Sequence, residues 1–258
     1  MPDPGAASDE APVLFDTADG VAHIVLNRPD KRNAITPEMA GLIEAALDRI
    51  ESDEGILVGV LYSRGSRAFS AGADLAYVAE GKASGFSTVR GGFGGVVRYP
   101  RTKPLICAVQ GFALAGGFEI AMACDILIAE RDSEFGLPEV TRGLIANGGG
   151  LIRLPRLAPR PVALDMILTG ARISAEQAER YGIVSRIVEK GEARRVAVEL
   201  AATIAAMSPA AVQASLAVID AAANGVTDEV WQLCARLADS IRRSDIAVAN
   251  ARQFVGRT

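Results

Sequence analysis

Short apolar runs alternate with segments of helical periodicity along most of this chain. Residues 21–27 (VAHIVLN) read as a strand, with His23 an ordinary strand residue. Thr36 is an expected N-cap, with Pro37 at the first helical position and apolar residues at helical spacing through Ile50. Residues 56–62 form a second strand, and 64–73 a turn-rich loop ending in Ala71-Gly72-Ala73-Asp74. Residues 79–100 are glycine-rich and show no clear period. A strand over 105–110 leads through a glycine turn into a helix near 116–124, followed by a strand over 125–129. Gly148-Gly149-Gly150 precedes an amphipathic stretch over 151–157. Ser174-Ala175-Glu176-Gln177 resembles a capping box one position short and opens a helix to Tyr181. A late strand is expected over 183–188. From Gly191 onward the pattern is helical and alanine-rich, with breaks at Ser208-Pro209 and Asn224-Gly225. The layout predicts a disordered tail over 1–12, an alternating α/β core over 13–190 and a helical region over 191–258.

Composition narrows what such a core does. Half of the 258 residues are hydrophobic, enough for a substantial core. A net charge of −4 speaks against a surface for polyanions, so nucleic acid is not an expected partner. Arg90-Gly91-Gly92-Phe93-Gly94-Gly95 has the form of an RNA-binding RGG box. It occurs once, and a loop beside a helix is the plainer account. The apolar region 105–129 is interrupted by Gln110, Glu119, Asp125 and glycines, which suits a buried strand–turn–helix–strand and not a membrane span. The three cysteines lack metal-ligand spacing and the N-terminal residues lack a basic, apolar leader, so reduced thiols and a cytoplasmic location are expected. With His23 the only histidine, neither a His-based triad nor a multi-histidine metal site is expected.

Two loop-to-helix transitions are candidates for chemistry: FSAGADL at 69–75 and GFALAGGFE at 111–119. Amides in a first helical turn have no internal partner and carry the positive end of the dipole. Aimed together at a carbonyl oxygen, they stabilise a developing oxyanion. Glycine before a helix nevertheless serves plain packing more often than catalysis. Glu119 lies on the otherwise apolar FEIAMAC, where a carboxylate is costly without a partner or a task. Glu139 follows Pro138, a setting that more often holds a solvated helix-start residue. In a chain with one histidine, carboxylates are the natural acid–base groups.

These segments together resemble the enoyl-CoA hydratase/isomerase, or crotonase, superfamily. FSAGADL, GFALAGGFEIAMACD, FGLPEVTRGLIANGGGLIRLPR, LNRPDKRNAIT and LTGARISAEQAERYGIVSRIVE carry the likeness, from about residue 13 to 188, with a looser helical match to about 245. The resemblance implies a spiral core of repeated ββα turns and C-terminal helices that pack between subunits in a trimer or a dimer of trimers. It implies an oxyanion hole from the amides of Ala73 and Gly116, and catalytic glutamates at Glu119 and Glu139. Glu139 would be the main proton carrier, while Glu119 positions the water and shares the base role. Coenzyme A would lie along residues 28–34 and 67–75, with Arg28, Ala34, Arg67, Ala71, Gly72, Asp74 and Leu75 at the site. No metal or further cofactor is implied; coenzyme A enters as part of the substrate. The implied reaction is reversible hydration of a 2-enoyl-CoA. The alternatives are a carnitinyl-CoA dehydratase-like reaction on a polar acyl group, an isomerase, and a non-catalytic acyl-CoA binder.

Three departures from the family pattern stand out. Ala115-Gly116-Gly117 replaces a triple glycine, with little damage expected. Asn147 takes a glycine position close to the reacting carbons, where it is expected either to reshape the pocket or to bind a polar substrate group. Residues 249–254 lack the basic and aromatic tail that many members place near the coenzyme A phosphates.

Overall fold

The computed structural model describes residues 10–80, 83–223 and 225–244. Residues 1–9, most of the expected tail, and the atypical segment 249–254 lie outside them. Ala11 and Pro12 are fastened to the core, since their carbonyls accept from the Asn27 side chain (2.8 Å) and backbone amide (2.9 Å).

The chain begins with β1 (Val13–Ala18) and β2 (Val21–Leu26), then α1 (Pro37–Ser52). The Thr36 side chain accepts from the Met39 amide, so the expected cap forms. Next come β3 (Val58–Ser63), β4 (Ala68–Ser70), α2 (Leu75–Ala79), β5 (Ser87–Thr88) and β6 (Gly92–Phe93). They are followed by β7 (Leu105–Val109), β8 (Phe112–Leu114), α3 (Gly116–Met122), β9 (Ile126–Glu130) and β10 (Glu134–Gly136). After α4 (Gly150–Leu157), α5 (Arg160–Thr169), β11 (Arg172–Ser174), α6 (Ala175–Arg180) and β12 (Arg186–Val188), the chain continues as α7 (Ala193–Ala205), α8 (Pro209–Ala222) and α9 (Asp228–Arg242).

Two sheets organise these elements. The larger has the order β1-β2-β3-β7-β9-β12, parallel except for the β1–β2 pair. The smaller has the order β11-β10-β8-β4 and is parallel except for β10–β11. Each turn of the spiral gives one strand to each sheet: β3 then β4, β7 then β8, β9 then β10. This α/β arrangement is the spiral of repeated turns that the resemblance implies. Phe69, Phe118 and Phe135 are fully buried between the sheets, and the rings of Phe118 and Phe135 lie 5.3 Å apart. On the other face of the large sheet, α7 packs through the small residues Ala193, Ala197 and Ala201.

Several expectations are revised. The loop at 64–73 contains β4, and the glycine turn after 110 contains β8. Strands of three residues carry too little alternation to be seen in a sequence window. The late strand over 183–188 shrinks to β12, because Ile183 and Val184 first close α6 with amides bonded to the Ala178 carbonyl. The capping box is complete: Ser174 accepts from the Gln177 amide, and the Gln177 side chain accepts from the Ser174 amide.

Candidate active site

A cavity of about 780 Å³ opens where the smaller sheet meets the N-termini of α2 and α3. It is built from the two loop-to-helix transitions. On the first, Ser70 at the end of β4 donates its hydroxyl to the Asn33 carbonyl (2.8 Å) and accepts from the Gly72 amide (3.2 Å). The Ala71 amide is bonded to the Arg32 carbonyl and the Asp74 amide to the Ile35 carbonyl. The Ala73 amide between them makes no backbone hydrogen bond among the described residues, and Ala73 lines the cavity.

On the second transition, β8 turns into α3 at Ala115. Gly116 is the first residue of α3, so its amide has no acceptor one turn back. The two turns touch: a Cβ on Gly72 would stand 2.8 Å from the Gly116 nitrogen, a contact that only glycine permits. Ala73 and Gly116 therefore line one cavity from adjoining turns, an arrangement that can serve as a two-donor oxyanion hole. Ala115 itself has φ 52° and ψ −131°, a conformation that favours glycine.

Glu119 lies one turn into α3 and is 3% exposed. Its Oε1 accepts from the Gly150 amide (2.8 Å) at the start of α4, and the Gly148 amide also donates to it. Burial, helped by the neighbouring charge of Glu139 and opposed by these two amides, pushes its pKa up to about 7. The glycine run 148–150 is thus the cradle of Glu119. A Cβ on Gly148 would stand 2.5 Å from Glu119 Oε2.

Glu139 comes from the opposite wall, on a 3₁₀ turn (Pro138–Arg142) after β10. It is half-buried, and its Oε2 has no hydrogen-bond partner among the described residues. Burial raises its pKa, opposed by its own backbone amide and by the Arg142 guanidinium. Glu119 and Glu139 line the same cavity, so groups twenty positions apart are brought to one space.

The remaining candidates divide. Ala34, Arg67, Ala71, Leu75 and Asn147 line the cavity together with Gly116. Arg28, Gly72 and Asp74 stand outside its lining. Arg28 Nη1 bonds the Asp74 carboxylate (3.0 Å) and the Ala34 carbonyl (2.7 Å), while Asp74 caps α2 through the Ala76 amide. These three hold the loop that carries Ala73.

Several lining residues escaped sequence reasoning. Phe93, from the glycine-rich 90–95 segment, packs over Gly116 and lines the cavity. That segment is pinned to α1: Arg90 pairs with Asp48, and the Gly91 amide bonds Glu44 Oε2 (2.7 Å). Arg142, Leu144 and Ile145 line the side that carries Glu139. Glycines ringing one phenylalanine were the only available signal for the first group, and there was none for the second.

Known proteins share this fold and much of this sequence. The model of the family described as Enoyl-CoA hydratase/isomerase matches residues 16–254. A carnitinyl-CoA dehydratase of Salmonella typhi is 38% identical over 195 residues, 75% of this chain and 74% of that protein. Among solved structures, an enoyl-CoA hydratase from Mycobacterium tuberculosis H37Rv matches with a TM-score of 0.89 at 38% identity, covering 96% of this chain and 97% of that one. A carnitinyl-CoA dehydratase from Mycobacterium avium 104 matches with a TM-score of 0.78 at 34% identity, covering 94% and 96%.

Proposed function

The chain belongs to the enoyl-CoA hydratase/isomerase family, and from that premise we propose that it adds water reversibly to the double bond of a 2-enoyl-CoA thioester. The observation that carries this reading is the meeting of two carboxylates and two free amides at one cavity. The thioester carbonyl accepts hydrogen bonds from the amides of Ala73 and Gly116, which stabilise negative charge on its oxygen as the enolate forms. Glu119 and Glu139 hold one water between them. Its oxygen bonds to Cβ, one of its protons passes to a glutamate, and Cα receives a proton from Glu139. Burial lifts both carboxyl groups towards neutral pH, which suits groups that give and take protons. Lys31, Arg32 and Arg67 at the cavity offer positive charge to the phosphates of coenzyme A.

A second reading, dehydration of a polar acyl-CoA, draws on the likeness to carnitinyl-CoA dehydratases and on Asn147 in the lining. We also propose a homo-oligomer. Neither α8 nor α9 contains a buried residue, and Ile219 and Trp231 are 65% and 66% exposed, which suits helices that pack on another subunit.

The test is loss of the conjugated-thioester absorbance when the purified protein meets crotonyl-CoA. Fast loss, with 3-hydroxybutyryl-CoA as the product, is expected. Tight butyryl-CoA binding with no turnover of crotonyl-CoA or of a polar enoyl-CoA would leave a non-catalytic acyl-CoA binder.

A further inference from the structure

Most charges at the cavity have a task in the proposed reaction, but Arg142 does not. It ends the 3₁₀ turn that carries Glu139. Residues three apart in a 3₁₀ helix eclipse one another, so Glu139 and Arg142 leave the backbone on the same side. Both line the cavity. The Arg142 guanidinium is in no ion pair or hydrogen bond among the described residues and acts on Glu139 only through its charge. Its neighbours in the lining, Leu144, Ile145 and Asn147, add apolar and amide surface but no counter-charge.

The other cations differ. Arg172 is paired with Glu134 (3.0 Å) and lies 6.0 Å over the Phe112 ring. Lys31, Arg32 and Arg67 belong to the wall assigned above to coenzyme A. Among the described residues, the only carboxylates lining the cavity are Glu119 and Glu139, which are reserved for the water.

We infer that Arg142 sorts acyl groups by charge, favouring an enoyl-CoA whose acyl chain ends in a carboxylate and disfavouring one that ends in a quaternary ammonium. A planar guanidinium binds a carboxylate through paired, charge-assisted hydrogen bonds. A cation placed beside it meets like charge, and the lining has no spare carboxylate to offset that. This separates the chain from its carnitinyl-CoA dehydratase relatives, because a carnitinyl group carries a quaternary ammonium. The inference rests on the proposed hydratase reading for the direction in which the acyl chain runs past the glutamates.

The experiment measures binding of three unreactive saturated thioesters by calorimetry at low ionic strength. They are butyryl-CoA (neutral), glutaryl-CoA (carboxylate) and 4-trimethylammoniobutyryl-CoA (cationic). The proteins are the wild type, Arg142→Gln, Arg142→Glu and, as a charge-matched control away from the cavity, Arg180→Gln. The wild type and the control are expected to bind glutaryl-CoA about tenfold more tightly than the cationic thioester. Arg142→Gln brings that ratio close to one, and Arg142→Glu reverses it. A wild-type ratio near one or favouring the cation, or a ratio unmoved by both Arg142 variants, overturns the inference. Binding needs no turnover, so the two readings fail separately. Intact ratios without hydration of crotonyl-CoA count against the hydratase alone, and hydration with flat ratios counts against charge sorting alone.

Discussion

The two walls that supply the glutamates hold them by opposite means. On the α3 wall, Glu119 is 3% exposed and gripped by amides from the start of α4, with glycines where any side chain would collide with it. On the 3₁₀ wall, Glu139 is half-buried, and its Oε2 lacks a partner among the described residues. One carboxylate is locked by the fold, and the other lines the same cavity and keeps a buried oxygen with no partner among the described residues. A group that orients a water benefits from being fixed. A group that moves a proton must keep an oxygen free for it. The contrast therefore supports the proposed division of labour, with Glu119 as the holder and Glu139 as the carrier.

The sharpest way to break the comparison is to neutralise each carboxylate in turn. Glu139→Gln removes the proton carrier and is expected to lower kcat for crotonyl-CoA by about 10³-fold. Glu119→Gln keeps an oxygen that can orient water and is expected to lower it by about 10²-fold. Glu176→Gln, on the exposed start of α6, serves as the control and should stay within a factor of two or so. Steady-state kinetics decides: a larger loss at Glu119 would reverse the assignment, and no loss at either would move the chemistry elsewhere.

A smaller effect tests the grip itself. In Gly148→Ala the new methyl group would stand 2.5 Å from Glu119 Oε2 and 3.2 Å from the Phe93 Cβ, so the carboxylate must shift. A fall in kcat of about tenfold or more follows from a displacement of that kind. The matching change on the other wall, Thr141→Ala, removes one hydrogen bond to the Pro138 carbonyl (2.7 Å). With no collision at the carboxylate, less than about a threefold loss is expected there. Equal losses would mean that the two walls are held alike.

The same grip has a signature in stability. Glu119 titrates near 7 in the folded chain and near 4.5 when unfolded. Between these values the folded state binds the proton more tightly, so its contribution is full below about pH 4.5 and falls as pH rises through 7. The loss is on the order of 3 kcal/mol, from the standard conversion of pKa shift to free energy. Denaturant midpoints for Glu119→Gln should therefore decline less with pH across this window than those of the wild type. An identical slope in the two proteins would show that the burial of Glu119 carries no such penalty.

How legible each wall was follows from length and periodicity. The long elements of the large sheet and α1 announce themselves, because β2, β3 and β7 are mostly apolar runs of five or six residues and Thr36-Pro37 marks a helix start. The smaller sheet was invisible: β4, β8, β10 and β11 are three residues each, and their order depends on contacts far apart in sequence. Yet this is the sheet that presents the site. Glu119 drew notice as a carboxylate in an apolar helix, a signal grounded in burial cost. Glu139 did not, because a glutamate after proline looks solvated; only the family likeness singled it out. Arg28 and Asp74 lie 46 positions apart, and nothing in their spacing announced the ion pair that joins them beside the cavity.

The smallest expected effect concerns the residue that joins the oxyanion turn to the locked wall. Ala115 was expected to replace a glycine with little damage, and it keeps the turn, but at φ 52° and ψ −131°. A backbone state of this kind costs a non-glycine residue about 1–3 kcal/mol. Glycine adopts it freely, although it loses more entropy on folding, which offsets part of the gain. Ala115→Gly should therefore raise the unfolding free energy by about 1 kcal/mol, read from denaturant midpoints at constant m-value. The Gly116 amide and Glu119 follow Ala115 on the same helix, so kcat should change little if the turn already holds its final shape. A stabilised protein with unchanged kcat would mean that the strain is borne by the turn alone. A changed kcat would mean that Ala115 also sets the aim of the Gly116 amide. A destabilised protein would show that the methyl group, packed where the Gly72 turn meets α3, contributes more than its strained backbone costs.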